Sequence, residues 1–165
     1  MFNDGFREVK MGATFHVTTR NAETGEIEDY CSTKNTILVG AYQYMASGAQ
    51  GLPVNAGDIY IGEGGTEPNE NQTGLESLLA GKPGAFSRDL VNPLKWYWEV
   101  YFSSGEANGT GIANIREVGA KWPTGPFLNR ALFRDSDGIT PRTITKTSSQ
   151  VLTVRMEFEI KRSED

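Results

Sequence analysis

The side chains able to do chemistry in this chain are few, and their spacing leaves them without partners. His16 is the one histidine and Cys31 the one cysteine. A serine or cysteine hydrolase needs a nucleophile beside a base that an acid orients. No Gly-x-Ser-x-Gly elbow accompanies His16, so a structural or surface histidine is expected. One Cys and one His cannot make a zinc ligand set, and a single Cys cannot close an internal disulfide. Glu99, Glu117, Glu157 and Glu159 are the carboxylates a glycosidase could pair. Glu157 and Glu159, however, stand on the polar face of an alternating run, where solvated or subunit-facing charge is the default.

Two glycine-bearing stretches invite ligand readings. Gly62-Glu63-Gly64-Gly65 lacks the third glycine of a dinucleotide loop, since Glu67 stands there, and no helix is expected directly after it. Gly81-Lys82 has Glu76 where a phosphate loop needs its first glycine. Asp135-Ser136-Asp137-Gly138 suggests a calcium loop, but the twelfth position, which requires a bidentate Glu, is Lys146. Asp and Gly in an ordinary turn account for it. No cofactor and no metal are expected.

Trp96-Tyr97-Trp98 is the sharpest remaining signal, because flat aromatic faces bind sugars. In a strand, alternate side chains take opposite faces. Trp96 and Trp98 then fall with Leu94, Val100 and Phe102 on a core face, where large aromatics dominate burial. Tyr97 and Tyr101 fall on the other and are the ligand or interface candidates.

The elements that must carry these residues are mostly strands. Leu152, Val154, Met156, Phe158 and Ile160 alternate with Val151, Thr153, Arg155, Glu157 and Glu159, which predicts a half-buried closing strand. Ala13 to Thr19 alternates in the same way. Asn21-Ala22-Glu23-Thr24-Gly25 is turn chemistry, and Glu26 to Ser32 is expected to pair back as a hairpin. Short strands are also expected around Ile59-Tyr60-Ile61, over Ile112 to Ala120, and at Arg130-Ala131-Leu132-Phe133. Asn35-Thr36 followed by Ile37, Leu38, Ala41, Tyr42 and Met45 predicts an amphipathic helix of about three turns. Thr73 to Leu79 is read as a further helical turn. Residues 1–12 are expected to form an arm, with Phe2 and Phe6 able to dock on a neighbour. Thr66 to Thr73 is polar and is expected to be an exposed loop.

The chain has 165 residues, 38% of them hydrophobic and 10% aromatic, enough for one domain with a core. Nineteen glycines and seven prolines without a period indicate many turns between short elements. A formal net charge of −5 argues against a phosphate-binding surface, so no nucleic acid partner is expected. The start of the chain lacks a signal-peptide pattern, and the apolar runs fall short of the ~20 residues of a membrane helix. The expectation is a cytoplasm-made product with no membrane partner. The fold class expected is a mainly β, single-domain antiparallel β-sandwich, jelly-roll-like, over residues 13–165, with one or two short helices.

The order of segments resembles a group of small tailed-bacteriophage virion structural proteins, described as tail-fibre-like, collar or head-decoration proteins. The resemblance rests on Ile59-Tyr60-Ile61-Gly62-Glu63-Gly64-Gly65-Thr66-Glu67-Pro68, Thr73-Gly74-Leu75 and Trp98-Glu99-Val100-Tyr101-Phe102. It continues through Gly105-Glu106-Ala107-Asn108-Gly109, Ile115-Arg116-Glu117-Val118-Gly119, Asn129-Arg130-Ala131-Leu132-Phe133 and Ile144-Thr145-Lys146-Thr147-Ser148-Ser149. It implies a non-enzymatic virion subunit, a homo-oligomer that docks on capsid, collar or tail proteins. The alternative reading is a carbohydrate-binding receptor module of a tail fibre, using Tyr97, Tyr101 and the Asn/Gln-rich loop around Asn69 to Gln72.

Overall fold

Alternation of side chains sets the longest pairing in the molecule. The computed structural model describes residues 9–48 and 57–162. The early alternating run is β1 (Val9–Asn21) and the closing run is β12 (Gln150–Arg162). They pair antiparallel along their full length, from Val9 opposite Arg162 to Asn21 opposite Gln150. Phe15 opposes Met156 and Val17 opposes Val154, and all four are buried. His16 opposes Arg155 on the other face.

The expected hairpin forms. Asn21 Oδ1 accepts hydrogen bonds from the Glu23 and Thr24 amides, at 2.9 and 3.0 Å, and turns the chain into β2 (Ile27–Lys34). On the other flank of β12 lies β7 (Lys95–Phe102), with Trp98 opposite Met156. Trp96, Trp98, Val100 and Phe102 are buried, as the alternation requires. Leu94, expected with them, lies in the turn before the strand, its amide held by Asn92 Oδ1, and is 41% exposed. A short strand, β6 (Ala85–Arg88), completes a five-stranded antiparallel sheet in the order β2-β1-β12-β7-β6.

A second five-stranded antiparallel sheet is built from β3 (Thr36–Ile37), β4 (Asp58–Gly62), β5 (Leu78–Pro83), β9 (Glu117–Lys121) and β10 (Phe127–Leu132). Its order is β3-β10-β9-β4-β5. A two-stranded sheet joins β8 (Ile112–Ile115) to β11 (Ile144–Thr147). Ile59, Ile61, Val118, Ala120 and Leu128 from the second sheet share one buried cluster with Phe15, Trp98, Phe102, Met156 and Phe158 from the first. The chain passes between the two large sheets at both edges, through Asn35 from β2 to β3 and through Gly84 from β5 to β6. Gly84 donates its amide to the Gly57 carbonyl at 2.8 Å. A Cβ at Gly84 would sit 2.9 Å from that same oxygen, so the corner needs glycine.

Several expectations change. The helix is shorter than predicted: α1 spans Val39–Ala46, with Leu38 as N-cap and no side-chain cap bond. Asn35-Thr36 does not cap it, because Thr36 and Ile37 are spent in the ladder with β10. Thr73 to Leu79 holds no helical turn; its end enters β5 instead. Ile112 to Ala120 is not one strand. It breaks at Arg116, whose amide bonds the Gly62 carbonyl, and its halves belong to different sheets. The arm expected over residues 1–12 falls outside the described residues as far as position 8, and Phe2 and Phe6 lie there. Residues 9–12 are the start of β1.

Candidate functional site

The outer face of the first sheet collects the polar side chains that alternation turns away from the core. Neighbouring strands place Arg155 between His16 and Glu99, and Glu157 between Thr14 and Tyr97. His16, Tyr97, Glu99, Arg155 and Glu157, with Thr18, Arg20, Tyr30 and Thr153, line an open cleft of about 510 Å³. Arg155 Nε donates to Glu99 Oε2 at 2.8 Å, and its guanidinium lies 5.0 Å from the centre of the Tyr97 ring. His16 Nδ1 is 2.8 Å from the Tyr30 hydroxyl, and His16 Nε2 lies 3.5 Å from Glu157 Oε2. Lys95 Nζ sits 3.1 Å from Glu157 Oε1, a contact that raises the Lys95 pKa above its ordinary value. Acid and base alternate across this face and neutralise one another. It can offer directed donors and acceptors to a partner.

Tyr97 and Tyr101 share this face, as expected from β7, but they do not form one platform. Glu99 stands between them, tied to Arg155. The Tyr97 ring is covered by that guanidinium, and its hydroxyl donates to Asp89 Oδ2 at 2.8 Å. Burial, then the bond to Asp89, raises the Tyr97 pKa. Tyr101 is 54% exposed and remains available.

The sharpest surface feature was not foreseen. Between β6 and β7, Leu90 and Val91 are 99% and 93% exposed. The loop that displays them is tightly tied. Asp89 Oδ1 accepts the Val91 and Asn92 amides, each at 2.8 Å, and Asn92 Oδ1 accepts the Leu94 amide at 3.0 Å. The Asp89 and Lys95 main chains close the base of the turn. The Asn92 amide, then the Tyr97 hydroxyl and the Val91 amide, pull the Asp89 carboxyl down to about 2. The signal in the sequence was an aliphatic pair between Asp and Asn-Pro, too short to show any period.

The loop carrying Gly62-Glu63-Gly64-Gly65 is held from below by a buried ion pair. Arg130 Nε lies 2.7 Å from Glu117 Oε2 and neither side chain is exposed. Glu117 also accepts the amides of Gly64, Glu76 and Ser77. Arg130 Nη1 reaches Gln72 Oε1 at 2.9 Å. The Gly64 amide, which a phosphate loop would aim at its ligand, is thus taken. Asp137 Oδ1 accepts the Ile139 and Thr140 amides, which is turn chemistry, and the Thr140 hydroxyl holds its carboxyl below the ordinary range. Among the described residues no three His, Cys, Asp or Glu side chains gather as metal ligands.

Cys31 is buried, with Sγ on the Arg134 carbonyl at 3.1 Å, and burial raises its pKa. It opposes Val17 on the inner face, whereas His16 points to the outer one, so the two do not meet. Among the described residues, no helix is long and apolar enough to cross a membrane. Compared with protein-family models, curated proteins and solved structures, the chain matches none.

Proposed function

We propose that this chain is a non-enzymatic structural subunit of a tailed-bacteriophage particle, made in the host cytoplasm and incorporated into the virion. Its body is a jelly-roll-like β-sandwich, a reading supported by the two sheets that feed one buried cluster and by the chain crossings at both edges. It self-associates and docks on capsid, collar or tail proteins.

The observation that carries this reading is the Leu90-Val91 tip. Two neighbouring aliphatic side chains stand almost wholly in water on a loop braced by Asp89 and Asn92. Burying a Leu or Val side chain is worth about 1.5–3 kcal/mol, and a braced loop loses little entropy when it docks. Exposed apolar knobs of this kind mark protein contacts. The segment resemblance to virion proteins points the same way. The glycan-receptor alternative is weakened because Arg155 occupies the Tyr97 ring face.

Leu90→Asp combined with Val91→Asp tests it. Both side chains touch water, so the thermal midpoint of the isolated protein stays unchanged. Binding to purified heads, collars and tails is lost. Undiminished binding by the variant would remove the tip from the account.

A further inference from the structure

Lys146 occupies a position where alternation calls for an apolar residue. On β11 the neighbouring Thr145 is exposed, while Ile144 and Lys146 point inward and are almost fully buried. Across the two-stranded sheet it opposes Ala113, itself in the core. Its Nζ lies 2.6 Å from Asn108 Oδ1 and 3.0 Å from the Thr147 carbonyl. The Ser104 carbonyl is more distant, at 3.5 Å.

The Asn108 carboxamide is gripped at both ends, since its Nδ2 donates to the Ser104 carbonyl at 2.6 Å. The chain on either side of it is bent: Ala107 takes φ 54 and Gly109 φ 59. Ala107 is a non-glycine residue in the left-handed region, a conformation that costs energy and persists where surroundings impose it. Two residues before Asn108 stands Glu106, whose charge acts on Lys146. Glu106 Oε2 is taken by Lys82 Nζ at 2.6 Å and by the Ser103 amide at 2.8 Å.

From this geometry we infer that Lys146 and Asn108 condense into an intramolecular isopeptide bond. The neutral Lys146 amine attacks Asn108 Cγ, and a new Nζ–Cγ amide bond forms. The Cγ–Nδ2 bond breaks, and Nδ2 leaves as ammonia. Nζ gives up one proton and the departing nitrogen gains one. No oxidant, metal or activated co-reactant is required. Desolvation lowers the Lys146 pKa and favours the amine, while the Glu106 charge opposes this more weakly. Lys82 and Ser103 hold the Glu106 carboxyl down at about 2 and occupy its Oε2, so it is not a base in contact with Nζ. The step is therefore slow. It has to occur only once per chain, and fixed reactants raise effective concentration by orders of magnitude. The bond would lock the loop after β7 to β11, a use suited to a particle exposed outside a cell, although the inference stands on Lys146 and Asn108 whatever the particle.

Intact-mass measurement of the denatured wild-type protein tests it. The chain weighs one ammonia less than its sequence requires, and digestion yields a branched peptide joining the Asn108 and Lys146 segments. Lys146→Arg and Asn108→Ala keep the full sequence mass, and Asn108→Asp loses one water instead. Wild-type protein that stays at full mass after long incubation overturns the inference. So does an ammonia loss without a branched peptide, the signature of succinimide formation at Asn108-Gly109. Because the wild-type mass decides the matter, a variant that fails to fold does not shield it.

Discussion

Glu117 and Arg130 lie on the adjacent strands β9 and β10, with Nε 2.7 Å from Oε2 and both side chains shut off from solvent. The pair reaches beyond itself. Glu117 gathers three amides of the loop between β4 and β5, and Arg130 adds Gln72 of the same loop. The Arg130 Nη2 contact to Glu76 Oε2 is an ion pair at 3.6 Å, outside hydrogen-bond range.

Removing one member of this pair strands a buried charge. Glu117→Gln is expected to cost about 3–5 kcal/mol in urea unfolding, and Glu117→Gln with Arg130→Met to recover a large part of it. A single-variant cost under about 1 kcal/mol would show that the pair anchors nothing.

Gly57 lies under the Trp98 ring, where an added Cβ would come within 2.5 Å of the ring and 2.6 Å of the Lys121 carbonyl. Gly57→Ala is expected to lower stability by about 1–3 kcal/mol through overpacking. Gly12→Ala meets nothing within 4 Å and serves as the control, with a change near zero. Equal effects from the two would contradict the packing described for the β5–β6 corner.

Two carboxyls give the fold an acid-side dependence. Asp89 falls from 3.8 to about 2, through the Asn92 amide first and then Tyr97. Glu106 falls from 4.5 to about 2, through Lys82 first and then Ser103. A group with a depressed folded-state pKa stabilises above its unfolded value, and that contribution disappears as pH falls towards the folded value. Stability is thus expected to drop between about pH 4.5 and 2. In Asp89→Asn the slope of the unfolding free energy against pH should be shallower in that window. An identical slope would mean that the Asp89 bonds do not form.

Cys31 is shielded and its thiol is disfavoured for ionisation. A thiol-reactive dye is expected to label it at the rate of unfolding, and at once in denaturant. Rapid labelling of the native protein at neutral pH would contradict its placement.

What could be read from the sequence was whatever alternated for long enough. β1, β7 and β12 have one buried and one solvated face, so Phe15 and His16, or Trp98 and Tyr97, separate cleanly by type. β9 and β10 gave no period because Glu117, Asn129 and Arg130 are buried among apolar neighbours. Glu117 and Arg130 bond each other and a loop distant in sequence, while Asn129 bonds the Ala120 amide and Met156 Sδ. Thr36-Ile37 matched a helix pattern and became a strand because β10 offered it a ladder. Lys146 stands in the sequence as the twelfth position of a calcium-like loop, and its burial and its contact with Asn108 emerge only in the fold. Leu90 and Val91 stand in the sequence as an aliphatic pair between Asp89 and Asn92-Pro93, but the exposure of such a pair is not written in any local spacing.

Membership of a phage particle is tested most directly by mass spectrometry of purified intact phage from a host expressing this chain. Peptides from the chain should co-purify with particles at a fixed ratio to the major capsid protein through density-gradient and salt washes. A chain found only in the lysate, and never with intact particles, would contradict the account.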